Sequence, residues 1–150
     1  MKPLVGANAR GTFRIRRGAS LTGATDFYVG QRYLAQPFVS SVLTAGEVSL
    51  FYFSGEFSHA ITKTPKPGDF RVQEEHGGAL ELSSAQPACL KAAERALAAV
   101  PWPLLYARVD LVWHDSAWLL MELELVEPSL YFTLDAASPE RFARALVNTL

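Results

Sequence analysis

Apolar and polar residues alternate with a period of two on both sides of His114-Asp115-Ser116, through residues 104–113 and 117–127. Successive side chains of a strand point to opposite faces, so this pattern predicts a hairpin. Odd positions Leu105, Ala107, Val109, Leu111 and Trp113, with Ala117, Leu119, Met121, Leu123 and Leu125, form its expected core face. A second hairpin is predicted for 46–53 and 56–63, where runs rich in β-formers flank the two-residue turn Ser54-Gly55. Residues 11–17 read as a short strand, 18–31 as loop with at most one helical turn, and 32–39 as extended chain. Residues 64–84, rich in proline, glycine and charge, read as one long loop, a kind of segment that often carries function.

Helical spacing takes over in residues 85–100, where Leu90, Ala93, Leu97 and Val100 share a face and Pro101 ends the run. Ser138-Pro139 opens a last helix, with Ser138 as its expected N-cap and Phe142, Leu146 and Leu150 on its apolar side. The expected class is α+β: a mostly antiparallel sheet with helices packed on it.

Composition narrows the picture modestly. The 150 residues suit one domain or one piece of a larger one, and 49% hydrophobic residues suffice for a core. The 19% charged content is slightly low, consistent with a surface that expects a neighbour. A net charge of −1 gives no reason to expect nucleic acid or an anionic membrane as partner. No signal-peptide pattern and no apolar run of about 18 residues is present. Cys89, the single cysteine, cannot form an intrachain disulfide and fits a small apolar helix position in a reducing, cytoplasmic setting.

The chemistry concentrates in the second hairpin. Arg108, Asp110, Glu122 and Glu124 all sit at even positions, and a turn centred near Asp115 pairs even with even. All four then share one face. Three converging carboxylates repel one another unless something positive lies among them. Oxygen ligands of this kind suit Mg²⁺ or Mn²⁺ completed by substrate phosphates. The plainer alternative is a solvated face with Arg108 as ion-pair partner. Val112, Leu120 and Val126 on the same side argue against full exposure.

Two loops are candidates for anion binding. Residues 2–12, KPLVGANARGT, combine Lys2 with small residues that let backbone amides approach phosphate. Residues 68–78, GDFRVQEEHGG, place Arg71 before the Gly77-Gly78 pair, and arginine suits bidentate phosphate contacts. Each also fits an ordinary loop, and His76 fits a surface histidine better than a catalytic one. No zinc-like His/Cys cluster and no Ser or Cys nucleophile motif is present.

In order along the chain, these segments resemble the ATP-grasp superfamily, in particular the bacterial glutathione synthetase-like ATP-binding domain. Lys2 and the glycine loop resemble that family's strand lysine and phosphate-covering loop. Gln36-Pro37-Phe38-Val39 resembles the segment lining the adenine pocket, and Glu47 the acidic residue that binds ribose. Arg71 with Gly77-Gly78 resembles the arginine-then-glycines loop. Asp110, Glu122 and Glu124 resemble the metal triad, although the family often carries asparagine where Glu124 stands. The strings GDFRVQEEHGG and MELELVEPS are most similar to a bacterial group that includes O-ureido-serine cyclo-ligases.

The resemblance implies ATP and Mg²⁺ (or Mn²⁺) as cofactors and a small carboxylate as substrate. Lys2 and Arg71 would act catalytically on phosphate charge, with an acylphosphate captured by an amine. It also implies that residues 1–150 are a partial ATP-grasp domain, without the N-terminal substrate domain and most of the small lobe. The surface left by that lobe would favour a homodimer. A catalytically silent, nucleotide-binding remnant is the alternative, and an unrelated α+β protein with a solvated acidic hairpin a third.

Overall fold

Both predicted hairpins form, and they join edge to edge. The computed structural model describes residues 1–5, 8–19, 30 and 32–149. Gly6 of the first loop, most of the 18–31 segment and Leu150 lie outside them. The chain divides into a unit of Met1–Val39 and a unit of Ser40–Leu150.

In the first unit, β1 (Lys2–Pro3) pairs antiparallel with β2 (Tyr33–Leu34), Lys2 opposite Leu34. The strand expected over 11–17 does not form. Thr12 closes a turn onto the Ala9 carbonyl, and Phe13 exchanges two hydrogen bonds with Met1, a single contact rather than a ladder. Of the extended stretch 32–39, only Tyr33–Leu34 is strand. The Arg14 guanidinium lies 3.9 Å from the centroid of the Phe38 ring.

The second unit is a five-stranded antiparallel sheet in the order β5-β4-β3-β6-β7. β3 (Glu47–Phe53) and β4 (Glu56–Thr64) are joined by Ser54 and Gly55, both with positive φ (48° and 81°). That is the turn whose twist matches paired strands, and glycine adopts it without strain. β6 (Tyr106–His114) and β7 (Ala117–Glu124) repeat the device with Asp115 and Ser116, at φ 45° and 66°. His114 thus belongs to the strand rather than the turn. β5 (Ala79–Ser83) was not expected. It pairs with β4 from Ala60↔Ser83 to Thr64↔Ala79, so the loop predicted for 64–84 ends at Gly78.

Helix α1 (Pro87–Leu97) starts with proline at its first turn and covers one sheet face. Its small residues Cys89, Ala92 and Ala93 let it approach Leu50, Tyr52, Ala60, Ala107, Val109 and Leu111 closely, forming the dry core. Burial pushes the Cys89 thiol up to about 11 and the Tyr52 phenol up to about 12. Helix α2 (Ser138–Val147) packs on β3 and β4. Ser138 is its first residue rather than its N-cap, which is Ala137. The buried Ser138 hydroxyl donates instead to the Asp135 carbonyl (2.7 Å), and the Asp135 carboxylate accepts the Ala137 amide (2.9 Å). An anion beside a helix N-terminus is stabilised by the exposed amides there.

The parity of the second hairpin holds only partly. Glu124 lies opposite Arg108, Leu123 opposite Val109 and Glu122 opposite Asp110, but Leu120 lies opposite Leu111. Met121 is an extra residue, a bulge. Beyond it the alternation of β7 is inverted. Trp118 packs toward the α1 core, whereas Leu119, expected inside, is 38% exposed. Leu120 and Val126, expected to help cover the carboxylate face, are exposed at 50% and 74%, while Val112 is fully buried.

Candidate functional site

The sheet face away from α1 carries two unlike halves. Cross-strand partners share a face. Glu47 faces Lys63, Ser49 faces Asp110, and Phe51 lies between Arg108 and His59. One half is therefore charged and the other aromatic.

The aromatic half is closed by α2. Phe142 meets Phe53 edge-on at 5.3 Å and Phe132 at 5.6 Å. The His59 ring stacks on Phe51, centroids 4.3 Å apart. His59 Nε2 donates to the Leu130 carbonyl (3.1 Å), so Nδ1 accepts from the Ser58 hydroxyl (2.9 Å). Arg141 of α2 donates to that same hydroxyl and pairs with Asp135. Burial holds the His59 imidazole below its ordinary range, against the opposite pull of the Leu130 carbonyl.

The charged half is a network of four carboxylates and two cations. Lys63 Nζ lies 3.1 Å from Glu47 Oε1 and 3.1 Å from Asp110 Oδ2. Arg108 Nη2 lies 3.1 Å from Asp110 Oδ2 and 3.6 Å from Glu122 Oε2, and it pairs closely with Glu124. Ser49 donates to Asp110 Oδ1 at 2.5 Å. Asp110, Lys63 and Arg108 are almost fully buried, whereas the Glu122 side chain is 56% exposed.

Burial alone would raise the Asp110 carboxyl, but Lys63, Arg108 and the Ser49 hydroxyl hold it below the usual range. Burial would likewise lower Lys63, yet Asp110 and Glu47 raise it. Glu47 is raised, by burial first and then by Asp110 and Glu122, with Lys63 offsetting only part of this. Burial also raises Glu124, against the pull of Arg108. The cluster is thus a buried, mutually neutralising network with an anionic, solvent-facing rim.

Asp110, Glu122 and Glu124 share a face as expected, but through the bulge at Met121 rather than through a turn centred at Asp115, and Glu47 joins them from β3. Sequence reasoning missed Lys63 and Ser49 and read Arg108 only as an ion-pair partner. The available signal was the alternation of β4: His59, Ile61 and Lys63 share a face with Glu47 and Ser49.

Arg71 forms its own local clasp. The Asp69 carboxylate accepts from the Phe70 and Arg71 amides and from Arg71 Nε and Nη2, the last at 2.7 Å. That clasp holds the Asp69 carboxyl well below the usual range. Gly77 (φ 81°) and Gly78 close the loop, their amides donating to the Glu74 and Gln73 carbonyls. A Cβ on Gly78 would lie 2.1 Å from the Val72 carbonyl oxygen, so only glycine fits there. The pair therefore shapes the loop around Arg71, with both amides used internally. Lys2, on β1, and Gln36, Pro37, Phe38 and Val39, after β2, belong to the first unit.

The donor set fits a divalent cation in chemistry. Every donor is a carboxylate oxygen, and four carboxylates face two cations, a surplus of two negative charges. The arrangement is not a ready cage: among the described residues, no three His, Cys, Asp or Glu side chains are disposed to hold a metal. Glu122 and Glu124 offer the accessible oxygens. Asp110 is committed to Lys63, Arg108 and Ser49, so it could reach a cation only if Lys63 or Arg108 took another anion.

No protein-family model matches the sequence. Over 132 residues the chain is 37% identical to the cycloserine biosynthesis protein DcsG of Streptomyces lavendulae, spanning 81% of this chain and 43% of that protein. The crystal structure of D-cycloserine synthetase DcsG superposes with a TM-score of 0.65 at 35% identity, over 76% of this chain and 41% of the other. A D-alanine–D-alanine ligase from Bacillus anthracis gives a TM-score of 0.48 at 19% identity, over 67% of this chain and 36% of that one. The chain thus spans less than half the length of the relatives it matches.

Proposed function

We propose that this chain, a member of the ATP-grasp superfamily, carries the ATP- and metal-binding part of a ligase that activates a small carboxylate through an acylphosphate. The observation that carries the reading is the cluster around Asp110: four carboxylates and two buried cations on one sheet face. The similarity to a D-cycloserine synthetase supports a small, amino-acid-like carboxylate as substrate class.

Asp110, Glu122 and Glu124 would hold Mg²⁺ or Mn²⁺. When bound, the ion would supply charge neutralisation at the β- and γ-phosphates of ATP. Lys63 and Arg108 would turn from Asp110 to the phosphate oxygens. Within the second unit, Arg71, preset by Asp69, would supply further positive charge to the triphosphate. Glu47 would accept hydrogen bonds from the ribose hydroxyls.

In the first step a substrate carboxylate oxygen bonds to the γ-phosphorus while the bond to the bridging oxygen breaks, and ADP leaves. In the second an amine nitrogen bonds to the acyl carbon, phosphate leaves, and the amine loses a proton. Lowering the barrier requires position and charge rather than a protein nucleophile, which matches a cluster of cations and carboxylates without a reactive thiol. The aromatic half, closed by α2, excludes water beside it.

Calorimetric titration with ATP, with and without Mg²⁺, tests the reading. Wild type should bind ATP more tightly with Mg²⁺, and Glu122→Ala should remove that difference. No Mg²⁺-dependent binding in wild type would sink the proposal. Binding without turnover would identify a nucleotide-binding module, an outcome favoured if Arg108 stays paired to its three carboxylates.

A further inference from the structure

Ser49 opens a run of buried residues, Ser49 to Phe53, at the centre of the sheet, and its hydroxyl is on the face away from α1. It lies directly opposite Asp110 on the neighbouring strand, and both side chains are closed to solvent. The two oxygens of the Asp110 carboxylate have unlike partners. Oδ1 accepts from the Ser49 hydroxyl at 2.5 Å and from Arg108 Nε at 3.1 Å. Oδ2 accepts from Lys63 Nζ at 3.1 Å, from Arg108 Nη2 at 3.1 Å and from Arg108 Nε at 3.2 Å.

The difference lies in what can move. Ser49 has one rotatable side-chain bond and sits in the middle strand, with β4 and β6 on either side, so its oxygen is fixed by the backbone. Lys63 and Arg108 reach Asp110 on long, flexible stems that can swing to another anion. One carboxylate oxygen is therefore anchored by a donor that stays, and the other is held only by donors that can leave.

We propose that Ser49 is a positioning residue for the metal–nucleotide site. It locks the Asp110 carboxylate by Oδ1, so that Oδ2 is the oxygen that exchanges between the chain's own cations and a divalent ion. This inference rests on the functional reading above. Without the anchor, the carboxylate is free to turn with the departing Arg108, and both oxygens follow the guanidinium. Outer contacts that orient a metal ligand typically contribute roughly tenfold or more to metal affinity.

The test is ATP binding by calorimetry with and without Mg²⁺, on this chain and on Ser49→Ala and Ser49→Cys. Urea unfolding measured in parallel reads any structural effect. Ser49→Ala should weaken binding in Mg²⁺ roughly tenfold, and binding without metal by less than about twofold. Ser49→Cys keeps the volume but donates weakly, so it should resemble alanine rather than serine. It carries the same prediction if the alanine variant does not fold.

The inference is overturned if either variant keeps the wild-type Mg²⁺ dependence. It is also overturned if binding falls equally with and without metal. Full restoration by cysteine would assign the effect to packing and overturn it too. A wild type with no Mg²⁺-dependent binding removes the functional reading and this inference together, whereas an effect absent only from the Ser49 variants removes this inference alone.

Discussion

The two faces of the central sheet solve opposite problems with the same strands. Toward α1, Leu50, Ala60, Val109 and Leu111 meet Cys89 and Ala93 in a dry core whose contacts are interchangeable in kind. On the other face of the same strands, Ser49, Lys63, Arg108 and Asp110 are also buried but depend on particular partners. Removing a methyl group leaves a small void, whereas removing one ion leaves another stranded. The first face therefore rests its stability on packing, and the second on matched charges.

The largest expected break is Lys63→Met. It leaves Glu47 and Asp110 buried without their shared cation and should cost about 3–5 kcal/mol in urea unfolding. The same variant should regain part of that loss in saturating Mg-ATP, since a ligand that binds only the folded state stabilises it. Unchanged stability would place these charges effectively in solvent. Leu50→Ala on the dry face should cost about 2–4 kcal/mol, with ATP affinity unchanged. A parallel loss of nucleotide binding would show that the faces are not independent.

A smaller effect separates the aromatic half of that face from the charged half by pH. Burial lowers the His59 imidazole from 6.5 in the folded chain. The unfolded chain therefore binds the extra proton first. Stability should be complete above pH 6.5 and fall as pH drops below it, before most carboxylates titrate. His59→Phe should flatten that slope in unfolding midpoints measured across the range. An unchanged slope would assign the acid sensitivity to the carboxylates instead. Smallest of all, Cys89, pushed up to about 11 by burial, should react with a thiol reagent only on unfolding. Rapid labelling of the native chain would show α1 to be loosely seated.

The hairpins and both helices were legible because each rests on a strong local signal: strand alternation, two-residue turns and proline at a helix start. The shared face of Asp110, Glu122 and Glu124 was legible only in part: a turn centred near Asp115 predicts it, whereas the observed pairing of His114 with Ala117 keeps it only through the extra residue Met121. The inversion at Met121 was not legible, because one extra residue leaves no mark on composition. Nor was β5, where ALELS follows a glycine pair and pairs only because β4 offers an edge. Lys63 and Ser49 look ordinary in sequence and gain meaning only from the residues across the ladder. Ser138 heads a motif that reads as a cap, but Asp135 performs that task because the chain approaches the helix through a turn.

The bulge at Met121 has a consequence for redesign. It works as a swivel between a constant end and a variable end of one hairpin. Residues 111–120 can be shortened, grafted or exchanged without rotating Glu122 and Glu124 away from Asp110, provided the extra residue is retained. A chain lacking it would keep its turn, yet the orientation of the outer hairpin would become tied to that of the carboxylates. That single residue lets the tip and the carboxylate end of one hairpin present their side chains independently.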